Sequence, residues 1–160
     1  MPRAGLVRRA EPMATHALSI RHARGEDAAA ISALAGQLGH PTSEADIARR
    51  LRKLLDDPTQ AVFVACDEDD RVHGYIAAEQ RLLLETGALV EIVALAVDAE
   101  LRRGGAGRAL VSAAELWAYK RGVNRLSARA DLPREAAHAF YPGIGYAPEK
   151  TQHCYARHLA

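Results

Sequence analysis

The sequence has little of what marks a membrane, metal or nucleic-acid protein. Crossing a bilayer as a helix takes ~20 apolar residues, and runs such as Ile92–Val97 are far shorter. The 2 cysteines, Cys66 and Cys154, lie far apart without metal-ligand spacing, which predicts reduced thiols in a cytoplasmic protein. None of the 7 histidines pairs with a second ligand at helical spacing, and His153 and His158, on an expected strand, point to opposite faces. No metal is expected. Net charge is nearly absent, at +1 over 160 residues. Met1–Pro12 contributes +2 of this (Arg3, Arg8 and Arg9 against Glu11), so the remainder carries about −1. Nucleic-acid binding draws on many phosphate contacts from a basic face, and this charge balance argues against that class. The arginines near the start have no apolar segment behind them, as a secretory signal needs. Residues 1–16 are therefore expected to be a disordered leader, or to reflect a native start at Met13, ahead of one domain over 17–160.

What is present is an ordinary globular composition, 49% hydrophobic and 26% charged, with clear changes of period along the chain. Leu18–His22 alternates apolar and polar and predicts a strand. Asp27 stands ready to cap a helix with Ile31, Leu34, Ala35 and Leu38 on one face. Ser43 with Asp46 opens a second helix, carrying Ile47, Leu51, Leu54 and Leu55. Ala61–Ala65 and Val72–Leu84 predict an antiparallel hairpin around the acids Glu68, Asp69 and Asp70, expected to be a solvated turn. Leu89–Val97 is nearly continuous apolar, as in a strand buried on both faces, and contains one acid, Glu91. A helix follows with Leu110, Ala113, Ala114 and Trp117 on its buried face, stopped by Gly122. Then come a strand at Arg125–Ala130, a short helix at Glu135–Phe140 entered through Pro133, and a last strand at Lys150–Leu159. The order is β-α-α-β-β-β-α-β-α-β. Its central β-turn-α-β unit requires parallel strands, so the fold class is α/β with a mixed sheet. There is no internal repeat and no low-complexity segment.

The turn between the buried strand and its helix reads Arg102-Arg103-Gly104-Gly105-Ala106-Gly107. A helix N-terminus presents unpaired N–H groups and roughly half a positive charge. Glycines let a phosphate approach those groups, and Arg102, Arg103 and Arg108 add charge where a diphosphate would lie. Glycines alone serve a tight strand-to-helix turn equally well. No Lys-Ser/Thr follows them, which excludes a Walker loop, and the spacing is not the Gly-x-Gly-x-x-Gly of dinucleotide folds.

Arg102-x-x-Gly105-x-Gly107 after the strand Val90–Val97 resembles the signature of the GNAT superfamily of N-acetyltransferases, and His138-Ala-Phe-Tyr141-Pro-Gly-Ile-Gly-Tyr146 resembles that superfamily's C-terminal segment. The likeness spans about Leu18–Leu159 and implies a mostly antiparallel central sheet with a splayed parallel pair. It implies acetyl-CoA as co-substrate, its pantetheine arm against the backbone of Leu95, Ala96 and Val97. Its pyrophosphate would rest on Arg102, Arg103, Gly104, Gly105, Ala106, Gly107 and Arg108. Tyr141 matches the tyrosine that protonates the departing thiolate. Asp131 departs from the asparagine many relatives place there.

A lysine-like amine has a pKa near ~10.4 and must lose a proton before attacking a thioester. Glu91 is the candidate base, acting through water, because a buried carboxylate is a better proton acceptor than an exposed one. Its alternative role is an ion-paired structural carboxylate. The stretch Val90–Leu159 further resembles aminoalkylphosphonate and aminoglycoside acetyltransferases, which implies a small-molecule amine as acceptor. His40, between the first two helices, is a candidate for the acceptor cleft. An acyl-CoA-binding sensor without catalysis and a protein lysine or N-terminal acetyltransferase are the alternatives. Relatives often form homodimers, although no interface can be picked out from the sequence.

Overall fold

The computed structural model describes residues 17–101, 104–130 and 135–160. Expectations that fall on residues 1–16, Arg102, Arg103, Asp131 and Pro133 lie outside the described residues. Two compact units are present, one ending at Ser127 and one formed by Ala128–Ala160.

The sheet runs β1 (Ser19–His22), β2 (Gln60–Cys66), β3 (Val72–Leu83), β4 (Gly87–Val97) and β5 (Leu126–Ala128), in that spatial order. Each neighbour pair is antiparallel except β4 and β5, which are parallel. The fold class is the one the sequence implied. Helices α1 (Ala28–Gln37) and α2 (Glu44–Asp56) separate β1 from β2, and α3 (Ala106–Lys120) crosses from β4 to β5.

Alternation along the strands builds a core on each face. Val62, Val64, Tyr75 and Ala96 pack with Ile31, Leu34 and Leu51 of α1 and α2. Gly74, next to Tyr75, faces the other way, where its Cα lies against Leu110 of α3. On that second face α3 buries Leu110, Val111, Ala114 and Ala118.

Four local expectations are corrected. Trp117 is only half-buried, with the Arg121 guanidinium 5.1 Å from its ring centroid, because the buried stripe of α3 follows Leu110, Ala114 and Ala118 at i, i+4 and i+8 and leaves position 117 at its edge. The Asp27 carboxylate does not cap α1. It accepts the Arg24 N–H at 2.7 Å and both terminal nitrogens of Arg21 at 2.8 Å, its opposite charge. Asp70, in the β2–β3 turn, is likewise ion-paired with Arg21 at 3.1 Å and Arg24 at 2.7 Å and not merely solvated. Finally, Lys150–Leu159 forms no strand, and residues 151–160 are exposed throughout. Polar residues stand on both alternating sets there (Thr151, His153 and Arg157 against Gln152 and His158), so no apolar face fixes a register.

One irregularity escaped the sequence. Ala77 pairs with Ala94 but Ala78 pairs with Ile92, so Val93 is an extra residue bulging from β4. The bulge reverses the side-chain parity of β4. Glu91, opposite Glu79, thereby shares a face with Ala94 and Ala96, opposite Ala77 and Tyr75.

Candidate active site

Leu95, Ala96 and Val97 are paired on one side with Ile76, Tyr75 and Gly74 of β3. On the other side β5 is 3 residues long against 11 in β4, and Arg125, just before it, accepts the Val90 N–H at 2.9 Å. In a parallel pair with that register, the last residues of β4 run past the end of β5. That is the backbone arrangement in which an extended ligand can pair with a strand.

The chain then turns through Ala99–Leu101 into α3. This turn is anchored: Asp98 N–H donates to the His73 carbonyl at 2.7 Å, Ala99 N–H to Gln37 Oε1 at 3.1 Å, and Leu101 N–H to the Asp98 carbonyl at 2.9 Å. Gly104 N–H donates to the Leu101 carbonyl at 3.2 Å. Gly105 has φ 83°, the left-handed region that favours glycine, and supplies no capping side chain. The first intrahelical bond is Ala109 N–H to the Gly105 carbonyl at 3.0 Å. The N–H groups of Ala106, Gly107 and Arg108 thus stand at the open positive end of a 15-residue helix, beside the exposed Arg108. A hollow beside the same turn is lined by Asp67, Glu68, Asp69, Asp98 and Glu100 with Arg71 and His73, and its excess of carboxylates does not suit an anion.

Glu91 is 4% exposed. Its Oε2 lies 2.9 Å from Arg81 Nη1, and Arg81 Nε lies 3.5 Å from Glu79 Oε1. Gln60 Nε2 donates to Glu79 Oε2 at 3.4 Å. The sequence reading missed Arg81 and Glu79. The signal was available, since Glu79-x-Arg81 puts two opposite charges on one face of a strand.

The second unit holds α4 (Glu135–Gly143) and Tyr141. Phe140 and Tyr146 stand edge-on to the Tyr141 ring, with centroids 5.2 and 5.7 Å away. Tyr146 N–H donates to the Tyr141 carbonyl at 3.0 Å, and Gly145, at φ 97°, makes the turn that permits it. Burial pushes the Tyr141 phenol above its ordinary value of 10.0, so it stays protonated at neutral pH. His40 is exposed on the α1–α2 loop, with its carbonyl accepting the Thr42 hydroxyl. Among the described residues there is no cluster of three or more His, Cys, Asp or Glu able to hold a metal ion, and no helix long and apolar enough to cross a membrane. Both cysteines are free thiols, Cys66 buried and Cys154 exposed.

The acetyltransferase (GNAT) family profile matches residues 26–146. The chain belongs to the GNAT acetyltransferase family. Membership makes it an N-acetyltransferase. Its sequence is 30% identical to the aminoglycoside N(6')-acetyltransferase type 1 of Stenotrophomonas maltophilia over 146 residues, covering 88% of this chain and 92% of that one. Two solved structures share the fold. The aminoglycoside 6'-N-acetyltransferase AAC(6')-Ih of Acinetobacter baumannii superposes with a TM-score of 0.79 at 17% identity, covering 90% of this chain and all of that one. Aminoglycoside N-acetyltransferase AAC(6')-Iy in complex with CoA superposes with a TM-score of 0.80 at 16% identity, covering 96% of this chain and all of that one. The GNAT match takes in β2–β5, the glycine turn and Tyr141.

Proposed function

We propose that the chain transfers the acetyl group of acetyl-CoA to a primary amine of a small molecule, by direct attack of the amine on the thioester. The observation that carries this reading is the uncapped N-terminus of α3 behind the left-handed Gly105, at the end of β4, in a GNAT chain. Gly104 to Arg108 are suited to the pyrophosphate, and the backbone of Leu95, Ala96 and Val97 to the pantetheine amides. Arg102 and Arg103 carry the charge that a diphosphate would require. Acetyl-CoA supplies the activated acyl group. Glu91 takes the proton that the ammonium must lose, through water. Tyr141, a phenol protonated at neutral pH, gives a proton to the departing thiolate. The relative from Stenotrophomonas maltophilia favours an amino-sugar acceptor with several amines over a protein lysine.

Thermal unfolding with and without acetyl-CoA tests the donor. Ligand at ~100 times its Kd should stabilise the fold by ~2.7 kcal/mol, and no shift removes acetyl-CoA from the proposal. Thiol release from acetyl-CoA, followed with DTNB over a panel of aminoglycosides, aminoalkylphosphonates and a lysine peptide, tests the acceptor. Binding without thiol release on any amine would favour the sensor alternative.

A further inference from the structure

We infer that Arg81 is a positioning residue for the reaction, holding the Glu91 carboxylate in one orientation and itself braced by Glu79. The inference rests on the reading of Glu91 as the base. Three observations carry it. Glu79 and Glu91 are directly opposite each other on β3 and β4, so two carboxylates share one face of the sheet within cross-strand reach. Arg81, two residues along β3 on that same face, contacts both: Nη1 meets Glu91 Oε2 at 2.9 Å and Nε meets Glu79 Oε1 at 3.5 Å. The two carboxylates differ in surroundings, Glu91 having a side chain 5% exposed and Glu79 one 31% exposed.

Two like charges side by side repel, more strongly where burial weakens solvent screening, and the guanidinium in contact with both offsets that repulsion. A guanidinium is planar and meets two acceptors from separate edges in a fixed geometry, whereas an ammonium is a point charge whose donors rotate. Arg81 therefore fixes which oxygen of Glu91 is engaged and at what angle, while Glu79, steadied by Gln60, keeps Arg81 from swinging out to solvent. A base must be held within ~0.5 Å of its working position. The Val93 bulge completes the device, because it lets Glu91, Ala94 and Ala96 occupy one face of β4. A purely structural ion pair would hold the strands together and leave turnover alone.

The test is a set of four variants, Arg81→Gln, Arg81→Lys, Glu91→Gln and the Arg81→Gln/Glu91→Gln double. They are assayed by thiol release at a temperature where all are folded by circular dichroism, with the panel amine that the wild type turns over fastest. The expected result is a kcat lower by about 100-fold in Glu91→Gln and by about tenfold in Arg81→Gln, with the acetyl-CoA KM within about twofold of wild type in both. Arg81→Lys should recover part of the loss. In the double variant the Arg81 change should cost nothing further, because there is no carboxylate left to orient. A wild-type kcat in Glu91→Gln overturns the base and this inference together. A damaged Glu91→Gln beside a wild-type kcat in Arg81→Gln, or fully additive losses in the double variant, overturns the positioning role alone.

Discussion

Gly74 and Leu110 meet so closely that a Cβ on Gly74 would lie 3.1 Å from Leu110 Cδ1 and 3.0 Å from the Ala96 carbonyl oxygen. The backbone oxygen cannot yield without disturbing the β3–β4 ladder. Gly74→Val should therefore cost about 2–3 kcal/mol in urea unfolding. On the proposed function, in which the N-terminus of α3 holds the pyrophosphate, the same variant should also bind acetyl-CoA more weakly. An unchanged unfolding midpoint would show that the helix can slide outward freely.

At the mouth of α3, Gly105 holds φ 83° with nothing near its missing Cβ. Space is available and conformation is the obstacle. Gly105→Ala should lower stability by about 1 kcal/mol. The acetyl-CoA Kd should rise by about tenfold, a loss of about 1.4 kcal/mol, as the first N–H groups of the helix turn away from the phosphates. Calorimetric titration reads the second effect, and an unchanged Kd would separate the turn from pyrophosphate binding.

Much of this layout was legible in the sequence because its causes are local. The 3.6 period set α1 and α2, alternation set β1, the apolar run set β2, the Ser43 hydroxyl accepts the Asp46 N–H at 3.1 Å as the cap pattern implied, and Gly122 stops α3 at φ 73°. The misses came from contacts between different elements. Arg21 stands in β1, six residues before Asp27, and its side chain takes the carboxylate that the cap pattern assigned to α1. The Val93 bulge is invisible within an apolar run, where either parity looks buried. In the site, the glycine turn and the acid in β4 were both readable, whereas the Arg81 brace needed the register.

Acid sensitivity follows from carboxylates held below their ordinary value, Asp67, Asp27 and Asp70 among them. The His73 bond at 2.6 Å holds Asp67 down at about 2, against its ordinary 3.8. Burial pushes Asp27 up, but its bonds to Arg21 and the Arg24 N–H outweigh that and lower it, and the Arg21 bond lowers Asp70. A depressed carboxylate contributes stability above its unfolded value and loses it as pH falls through the folded one. The Tm should therefore hold above pH ~4 and fall steeply toward pH ~2. The Tm gap between wild type and Asp67→Asn should be widest near neutrality and close at the acid end; a gap that widens on acidification would reverse the assignment.

Tyr141→Phe leaves ring packing against Phe140 and Tyr146 in place and removes only the hydroxyl. The expected outcome is a kcat lower by about tenfold or more with acetyl-CoA affinity nearly intact. Weak cofactor binding with normal turnover would assign the hydroxyl to binding instead of proton transfer.

The extra residue at Val93 makes β4 a strand of two phases, and this constrains how the protein can be recombined. A chimera that joins one homologue's β4 before the bulge to another's after it inherits the correct faces only if both carry the same phase. A β4 of the same length without the bulge would put Glu91 and Ala96, five positions apart, on opposite faces of the sheet, whereas removing Val93 itself restores an even spacing and keeps them together. The acid and the cofactor-side backbone are thus coupled through a count, so β4 is a unit of inheritance to be exchanged whole.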